Sequence, residues 1–293
     1  VAVVIGVMLI ATALVGFVSK HKLKSALAGI LILVGAIVLG FQVAPAQTIN
    51  PESGVVAVEQ SAYAELRVVD QDQVRYLLVD GGAHTAASTI SAESKFPYVN
   101  VLDIAKFFFQ KPGEMLTIGL GGGSVVRNYA RDNWRIDAVE IDPVIIRMAR
   151  QYFGLTKGDA QVYEMDGRRF LATSGKSYDL IILDAFGSSY IPFHLVTEEA
   201  FGLMHSRLSP SGVLAMNIWA VGWHDEMAVA VAATLRKHFR YVRALPIAEP
   251  PDQFGNMILI ASDREMVLEK ELPPVRDRFG PDYDRVHAWD NSF

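Results

Sequence analysis

The chain contains no cysteine among its 293 residues. That excludes disulfides, thiolate metal sites and a cysteine nucleophile, and it leaves the compartment undetermined. A basic excess is also missing: 27 lysines and arginines stand against 32 aspartates and glutamates, for a formal net charge of −5. Without a positive field to meet a phosphate backbone, no nucleic-acid partner is expected. His84, His194, His205, His224, His238 and His287 show no metal-ligand spacing, so each reads as a surface or packing residue and no metal is expected. Ser188-Ser189 lacks a nucleophile-elbow frame, which removes the hydrolase signal. There are no internal repeats and no low-complexity tracts.

Apolar sequence is abundant, and it is concentrated at the start. Residues 1–18 carry no charge, and residues 25–43 form a second such run. Each is close to the roughly 20 residues needed to cross a hydrocarbon core. The basic link Ser19-Lys20-His21-Lys22-Leu23-Lys24 between them suits a tight turn. Residues 1–43 are therefore expected to form a transmembrane hairpin, a piece of a longer multi-pass region in a plasma or inner membrane, with the lipid bilayer as partner. The chain opens at Val1 inside an apolar run, which reads as a fragment or processed form. A signal peptide cleaved near Ala44-Pro45-Ala46 is the alternative, and the second run argues against it. Lysines in the link favour its cytoplasmic placement. That would put the rest of the chain on the far side, whereas cofactor supply favours the cytoplasm, so the side stays open.

Residues 44–54 carry Asn50-Pro51 and Ser53-Gly54 and read as a linker. Residues 55–112 read as a small β-domain with a connecting helix: strands at 55–59, 64–69 and 74–79, turns at 70–73 and 80–82, and helical spacing over 98–110. From 113 to 262 strands and helices alternate, the mark of an α/β fold with a parallel sheet. Strands are expected at 115–119, 136–141, 161–165, 180–183 and 213–218. Helices are expected at 124–131, 143–152, 168–172, 198–208 and 226–238, the second starting at Pro143 behind Asp142. Two closing strands, 241–246 and 257–261, suit the antiparallel edge hairpin of a Rossmann-like, class I methyltransferase-type domain. Residues 263–293 read as an irregular tail.

Four motifs on this frame carry chemistry. Ile118-Gly119-Leu120-Gly121-Gly122-Gly123-Ser124 lies between a strand and a helix, where Gly119 and Gly121 let the backbone turn and approach a ligand. Glu140 ends the next strand about 20 residues on, where a carboxylate can accept from both hydroxyls of a ribose. Asp166-Gly167 follows the third strand: Asp166 can accept from the exocyclic amine of adenine with backbone help from Gly167, or cap the helix that follows, or do both. Asp184 ends the apolar strand 180–183, on the rim where ligands of open α/β sheets sit.

Together with Val139-Glu140-Ile141-Asp142, Asp166-Gly167-x-x-Phe170, Tyr178–Leu183 with Asp184, Pro192-Phe193-His194-Leu195 and Leu208-Ser209-Pro210-Ser211-Gly212-Val213-Leu214, these motifs resemble the spermidine synthase family of polyamine aminopropyltransferases. The similarity runs from about Val55 to Ala261 and extends to membrane-anchored members of the family. It implies transfer of an aminopropyl group from decarboxylated S-adenosylmethionine to a small amine acceptor, releasing methylthioadenosine, with no metal. It further implies that Glu140 holds the ribose and Asp166 the adenine, that Asp184 is the catalytic acid–base, and that Tyr98 is the gate tyrosine orienting the amine.

Departures from the family pattern all fall on the amine side. Gly122 and Gly187 stand where the family has acids, His84 where it has glutamine, and Asn100 where it has an acid two residues past the tyrosine. Two other readings therefore stay open: a methyltransferase using intact S-adenosylmethionine, and a nucleoside-binding membrane module without turnover. A nicotinamide dehydrogenase fits Asp166 and the closing hairpin poorly. The acceptor and the oligomeric state, a homodimer included, are left open.

Overall fold

Twelve strands and six α-helices are found among the described residues of this computed structural model, which are 54–185, 192–222, 224–246, 254–266 and 287–288. They fall within the unit Asn50–Phe293. The two apolar runs, Gly187 and Ser188-Ser189 lie outside them. Among the described residues no helix is long and apolar enough to cross a membrane.

In chain order the elements are β1 (Val55–Gln60), β2 (Glu65–Gln71), β3 (Val74–Val79), β4 (Gly82–Ser88), α1 (Pro97–Leu102), β5 (Glu114–Ile118) and α2 (Ser124–Arg131). There follow β6 (Arg135–Glu140), α3 (Pro143–Tyr152), β7 (Gln161–Glu164), α4 (Gly167–Thr173), β8 (Tyr178–Leu183), α5 (Glu198–Arg207) and β9 (Leu208–Val221). The last are α6 (Glu226–Leu235), β10 (Tyr241–Pro246), β11 (Phe254–Ser262) and β12 (His287–Ala288).

β1 to β4 form an antiparallel meander, and the other eight strands form one sheet in the order β12-β10-β11-β9-β8-β5-β6-β7. β9, β8, β5, β6 and β7 run parallel, while β11 is reversed between β9 and β10. Period-two alternation sorts these strands onto two cores. Met115, Leu180, Ile182, Val213, Ala215, Ile258 and Ile260 face one side, with α1 and α2 supplying Val99, Leu102, Val126 and Tyr129. Leu116, Ile118, Ile181, Leu183, Leu214, Met216 and Leu259 face the other, covered by Phe170, Phe201, Met204, Val231 and Leu235 from α4, α5 and α6. Burial on both faces explains why β8 is a nearly continuous apolar run.

The meander docks on α3: Leu66, Val68 and Leu77 pack with Val144, Met148 and Phe153. Polar contacts fix the docking, including Arg75 Nη1 to Tyr152 O at 2.9 Å. Asp142 caps α3 by accepting from Val144 N at 2.8 Å, with Pro143 in the first turn.

Several expectations need correction. A fourth strand, β4, follows the Asp80-Gly81 turn; its sequence Gly-Ala-His-Thr-Ala-Ala-Ser is poor in β-formers, and pairing with β3 overrides that. The helix expected over 98–110 ends at Leu102 and continues as a 3₁₀ segment, Asp103–Phe108. Leu208 leaves α5 and begins β9, and Pro210 is accommodated where the register with β8 shifts between Tyr178 and Leu180. The closing hairpin exists, but it is not the edge of the sheet. The tail expected to be irregular returns residues 287–288 to pair outside β10, and Met266 is buried in the first core.

Candidate active site

The chain runs outward from β5 to β6 and β7, then crosses to the other side of β5 as β8. The crevice at such a switch point is where open α/β sheets bind ligands. A cavity of about 550 Å³ lies there, lined by the carboxyl ends of β5, β6 and β8, by β9 and β11, and by the β3–β4 turn and α1. All seven site residues expected from the sequence line it: Tyr98, Gly119, Gly121, Glu140, Asp166, Gly167 and Asp184.

At one end the glycine turn and Glu140 are fixed to each other by backbone. Glu140 accepts from Leu120 N and from Asp142 N, both at 3.0 Å, one on each carboxylate oxygen. Burial pushes its carboxyl up, and these amides pull it back down. Gly119 sits at φ 93°, and a Cβ there would lie 2.2 Å from Asp184 O. The approach that demands this glycine is thus that of the neighbouring strand's backbone. Gly121, at φ 50°, would put a Cβ 3.0 Å from Thr85 Oγ1.

Asp166 does cap its helix, accepting from Arg169 N at 2.8 Å, while its second oxygen lies 2.8 Å from His194 Nε2. Gly167 is required by packing: a Cβ would meet Ile118 Cγ2 at 2.4 Å. Asp142, 1% exposed, also lines the cavity, and its Oδ2 has no hydrogen-bond partner among the described residues.

The other end centres on Asp184. Its carboxylate accepts from Asn217 Nδ2 at 3.0 Å and, through a long contact of 3.3 Å, from the Tyr98 hydroxyl. Burial raises the Asp184 carboxyl above the usual range, while Asn217 and Tyr98 lower it. Burial and the nearby carboxylate push the Tyr98 hydroxyl well up, so it stays protonated and donates. His84 lines this cavity rather than the outer surface, and burial lowers its imidazole. His194 lines it too, from an exposed position at the cavity's rim.

Gly122 donates its N–H to Thr85 Oγ1 at 2.8 Å, and a Cβ on it would meet Thr85 Cγ2 at 2.6 Å. Thr85 therefore occupies the space a side chain at position 122 would need. Beneath the loop, Arg127 donates to the carbonyls of Gly122, Phe153 and Ala92. Sequence reasoning missed Thr85, Asn217 and Asn256. Only Asn217 carries a local signal, as an amide inside the apolar run of β9. Among the described residues no group of acids and histidines could hold a metal ion.

Sheet order, reversed β11 and switch-point cavity define the class: a Rossmann-like domain of the class I methyltransferase type, with an antiparallel sheet docked on its third helix. Within that class the chain belongs to the spermine/spermidine synthase family, whose domain matches residues 97–271. A polyamine aminopropyltransferase of Vibrio vulnificus is 30% identical over 222 residues, covering 72% of each chain. Solved structures similar in fold include a probable spermidine synthase from Corynebacterium glutamicum, with TM-score 0.66, 19% identity and coverage of 75% of this chain and 86% of that one. Another is a spermidine synthase in complex with the transition state analogue AdoDATO, with TM-score 0.64, 20% identity and coverage of 77% and 79%.

Proposed function

We propose that this chain is an aminopropyltransferase, moving the aminopropyl group of decarboxylated S-adenosylmethionine to an amine acceptor and releasing methylthioadenosine. The observation that carries the reading is the charge of the cavity. Its described lining includes Asp80, Glu140, Asp142, Asp166 and Asp184, and no lysine or arginine. A sulfonium donor ending in an ammonium, and an amine acceptor, both suit such walls. The carboxylate of intact S-adenosylmethionine does not: two like charges about 4 Å apart repel by about 4 kcal/mol at an effective dielectric of about 20.

The chemistry is a direct displacement. The acceptor nitrogen attacks the carbon next to the sulfonium, the carbon–sulfur bond breaks with its electron pair going to sulfur, and the nitrogen gives up a proton. Asp184 takes that proton, for a general-base gain of about 10²–10⁴-fold. Tyr98 donates to Asp184 and borders the acceptor. Glu140, already oriented by two amides, accepts from the ribose hydroxyls, and Asp166 accepts from the adenine amine beside its cap.

Methyl transfer from the intact cofactor is the second reading, and one observation favours it. The guanidinium of Arg127 lies on Gly122 O at 2.9 Å, and its hydrogen-bond partners among the described residues are neutral. Burial lowers it to about 10, still charged at neutral pH. A cation under the loop would attract a carboxylate. Calorimetric titration of the full chain with both cofactors decides. Tighter binding of the decarboxylated form supports aminopropyl transfer, and tighter binding of the intact form supports the alternative.

On the apolar runs at 1–18 and 25–43 we further propose a membrane-held protein. Alkaline carbonate should leave it in the pellet with lipid, and its release into the supernatant would refute this.

A further inference from the structure

The carboxylate of Asp184 is held by a directional chain of two amides. Asn217 Nδ2 donates to Asp184 Oδ1 at 3.0 Å, and Asn256 Nδ2 donates to Asn217 Oδ1, also at 3.0 Å. The two asparagines stand on adjacent antiparallel strands, β9 and β11, where Asn217 lies opposite Ile258 and Asn256 opposite Trp219. Asn217 is 3% exposed in the middle of an apolar strand, and Asn256 is half-buried on the cavity wall.

An ionised carboxylate only accepts hydrogen bonds, so Asn217 must turn its NH₂ toward Asp184. Its carbonyl oxygen then faces β11 and needs a donor, which Asn256 supplies. A carboxylic acid at Asp184 could instead donate to a flipped Asn217, so the orientation of one buried amide selects the protonation state of the acid it touches. We infer that Asn217 and Asn256 act as positioning residues, a two-amide relay in which Asn256 locks the flip of Asn217 so that Asp184 is held as a proton acceptor. Asn256 itself does not touch the Asp184 carboxylate through a hydrogen bond; it acts through Asn217.

The surroundings of Asp184 leave this role to neutral groups. Besides Asp184, the ionisable side chains among the described residues lining its cavity are Tyr63 between β1 and β2, Tyr98 from α1, Asp80 and His84 from the β3–β4 hairpin, Glu140 from β6, Asp142 at the start of α3, Asp166 before α4, and His194. Among the described residues, only Tyr98 and Asn217 are hydrogen-bonded to the Asp184 carboxylate. The Asn217 bond is the shorter, and it opposes the effect of burial more than Tyr98 does. Hydrogen bonds to the charged form are the physical means of keeping a buried acid ionised.

The inference rests on the proposed role of Asp184, and the test separates the two. In the full chain carrying ¹³C-labelled aspartate, the Asp184 carboxyl resonance is assigned by its loss in Asp184→Asn and then titrated without ligand. Asn217→Leu should move its midpoint upward by on the order of one pH unit, and Asn256→Leu should move it the same way by less. Asn256→Gln keeps the donor and should sit nearer the wild type. The acid limb of kcat/KM should follow the midpoint, while the affinity for methylthioadenosine stays within about twofold. Loss of stability alone would not move a carboxyl titration, so an unmoved midpoint in Asn256→Leu overturns the relay even if Asn217→Leu fails to fold. A moved midpoint in a chain that transfers no aminopropyl group upholds the relay and removes the proposed function.

Discussion

The two ends of the cavity are built in different ways. Glu140 and the glycine turn lie within about 20 residues of each other on consecutive parallel strands, and backbone amides hold the carboxylate from both sides. Asp184 is held by side chains from segments far apart in the sequence: Tyr98 on α1 and Asn217 on β9, with Asn256 on β11 behind Asn217. A backbone-held end tolerates substitution around it, because its donors belong to the fold. An end held by side chains can be retuned one residue at a time. In the family pattern the departures, Gly122, Gly187, His84 and Asn100, belong to the amine side.

The largest expected effect falls on the proposed amine end. Asp184→Asn should lower kcat by about 10²–10⁴-fold, the scale of a lost general base. Its affinity for methylthioadenosine should stay within about twofold, because the new amide can still accept from Asn217 and donate to the Tyr98 oxygen. Steady-state rates and calorimetry on one preparation measure both, and a parallel fall in affinity would merge the two ends into one.

Glu140→Ala should do the reverse. It leaves two amides without their acceptor and removes the ribose contact, weakening methylthioadenosine binding by about 1.5–3 kcal/mol, the range for hydrogen bonds to a charged group. Unchanged affinity in a calorimetric titration would remove Glu140 from the nucleoside end.

Gly122→Asp probes the amine side of the family pattern from the other direction. Restoring the family acid drives a Cβ to within 2.6 Å of Thr85 Cγ2 and 3.0 Å of the Phe153 ring. Overpacking of this kind costs about 1–3 kcal/mol, readable as a lower thermal midpoint. Thr85→Ser keeps the hydroxyl that accepts from Gly122 and deletes the clashing methyl, so the double variant should recover part of the loss. If the single variant is as stable as the wild type, Thr85 is not what closes this position.

pH sharpens the comparison at smaller amplitude. Burial raises the Asp184 carboxyl, so its basic form is populated only above the ordinary aspartate range. The kcat/KM profile should therefore fall on acidification at a higher pH than a solvated aspartate would give. Stability runs with the opposite sign. A carboxyl raised in the folded state favours folding below the unfolded pKa, and that contribution is lost as pH rises to the folded value. Replacing Asp184 by Asn should then raise the thermal midpoint slightly at neutral pH and leave it unchanged below the unfolded pKa. An unchanged midpoint across the whole range would mean that burial costs Asp184 nothing.

What the sequence made legible follows the same division. The glycine turn, Glu140, Asp166 and Asp184 sit at strand ends fixed by apolar periodicity, and periodicity is local. Helices 124–131 and 143–152 are legible in the same way, through their glycine and Asp-Pro starts. β4 was not, because its alanines and glycine carry no strand preference and its pairing partner decides. Thr85, His84 and Asn256 reach the cavity only through the crossing of chain segments, which no spacing encodes. Asn217 left a trace, since an amide inside a run buried from Val213 to Ile218 needs partners to be there.

Product analysis tests the central claim most directly. The full chain is incubated with decarboxylated S-adenosylmethionine and a mixed pool of amines, and separately with the intact cofactor and the same pool, and products are weighed by mass spectrometry. Aminopropyl transfer predicts methylthioadenosine and an aminopropylated amine in equal amounts from the first mixture, and nothing from the second. Methylated product with S-adenosylhomocysteine from the second mixture, or no product from the first while methylthioadenosine still binds, would contradict it.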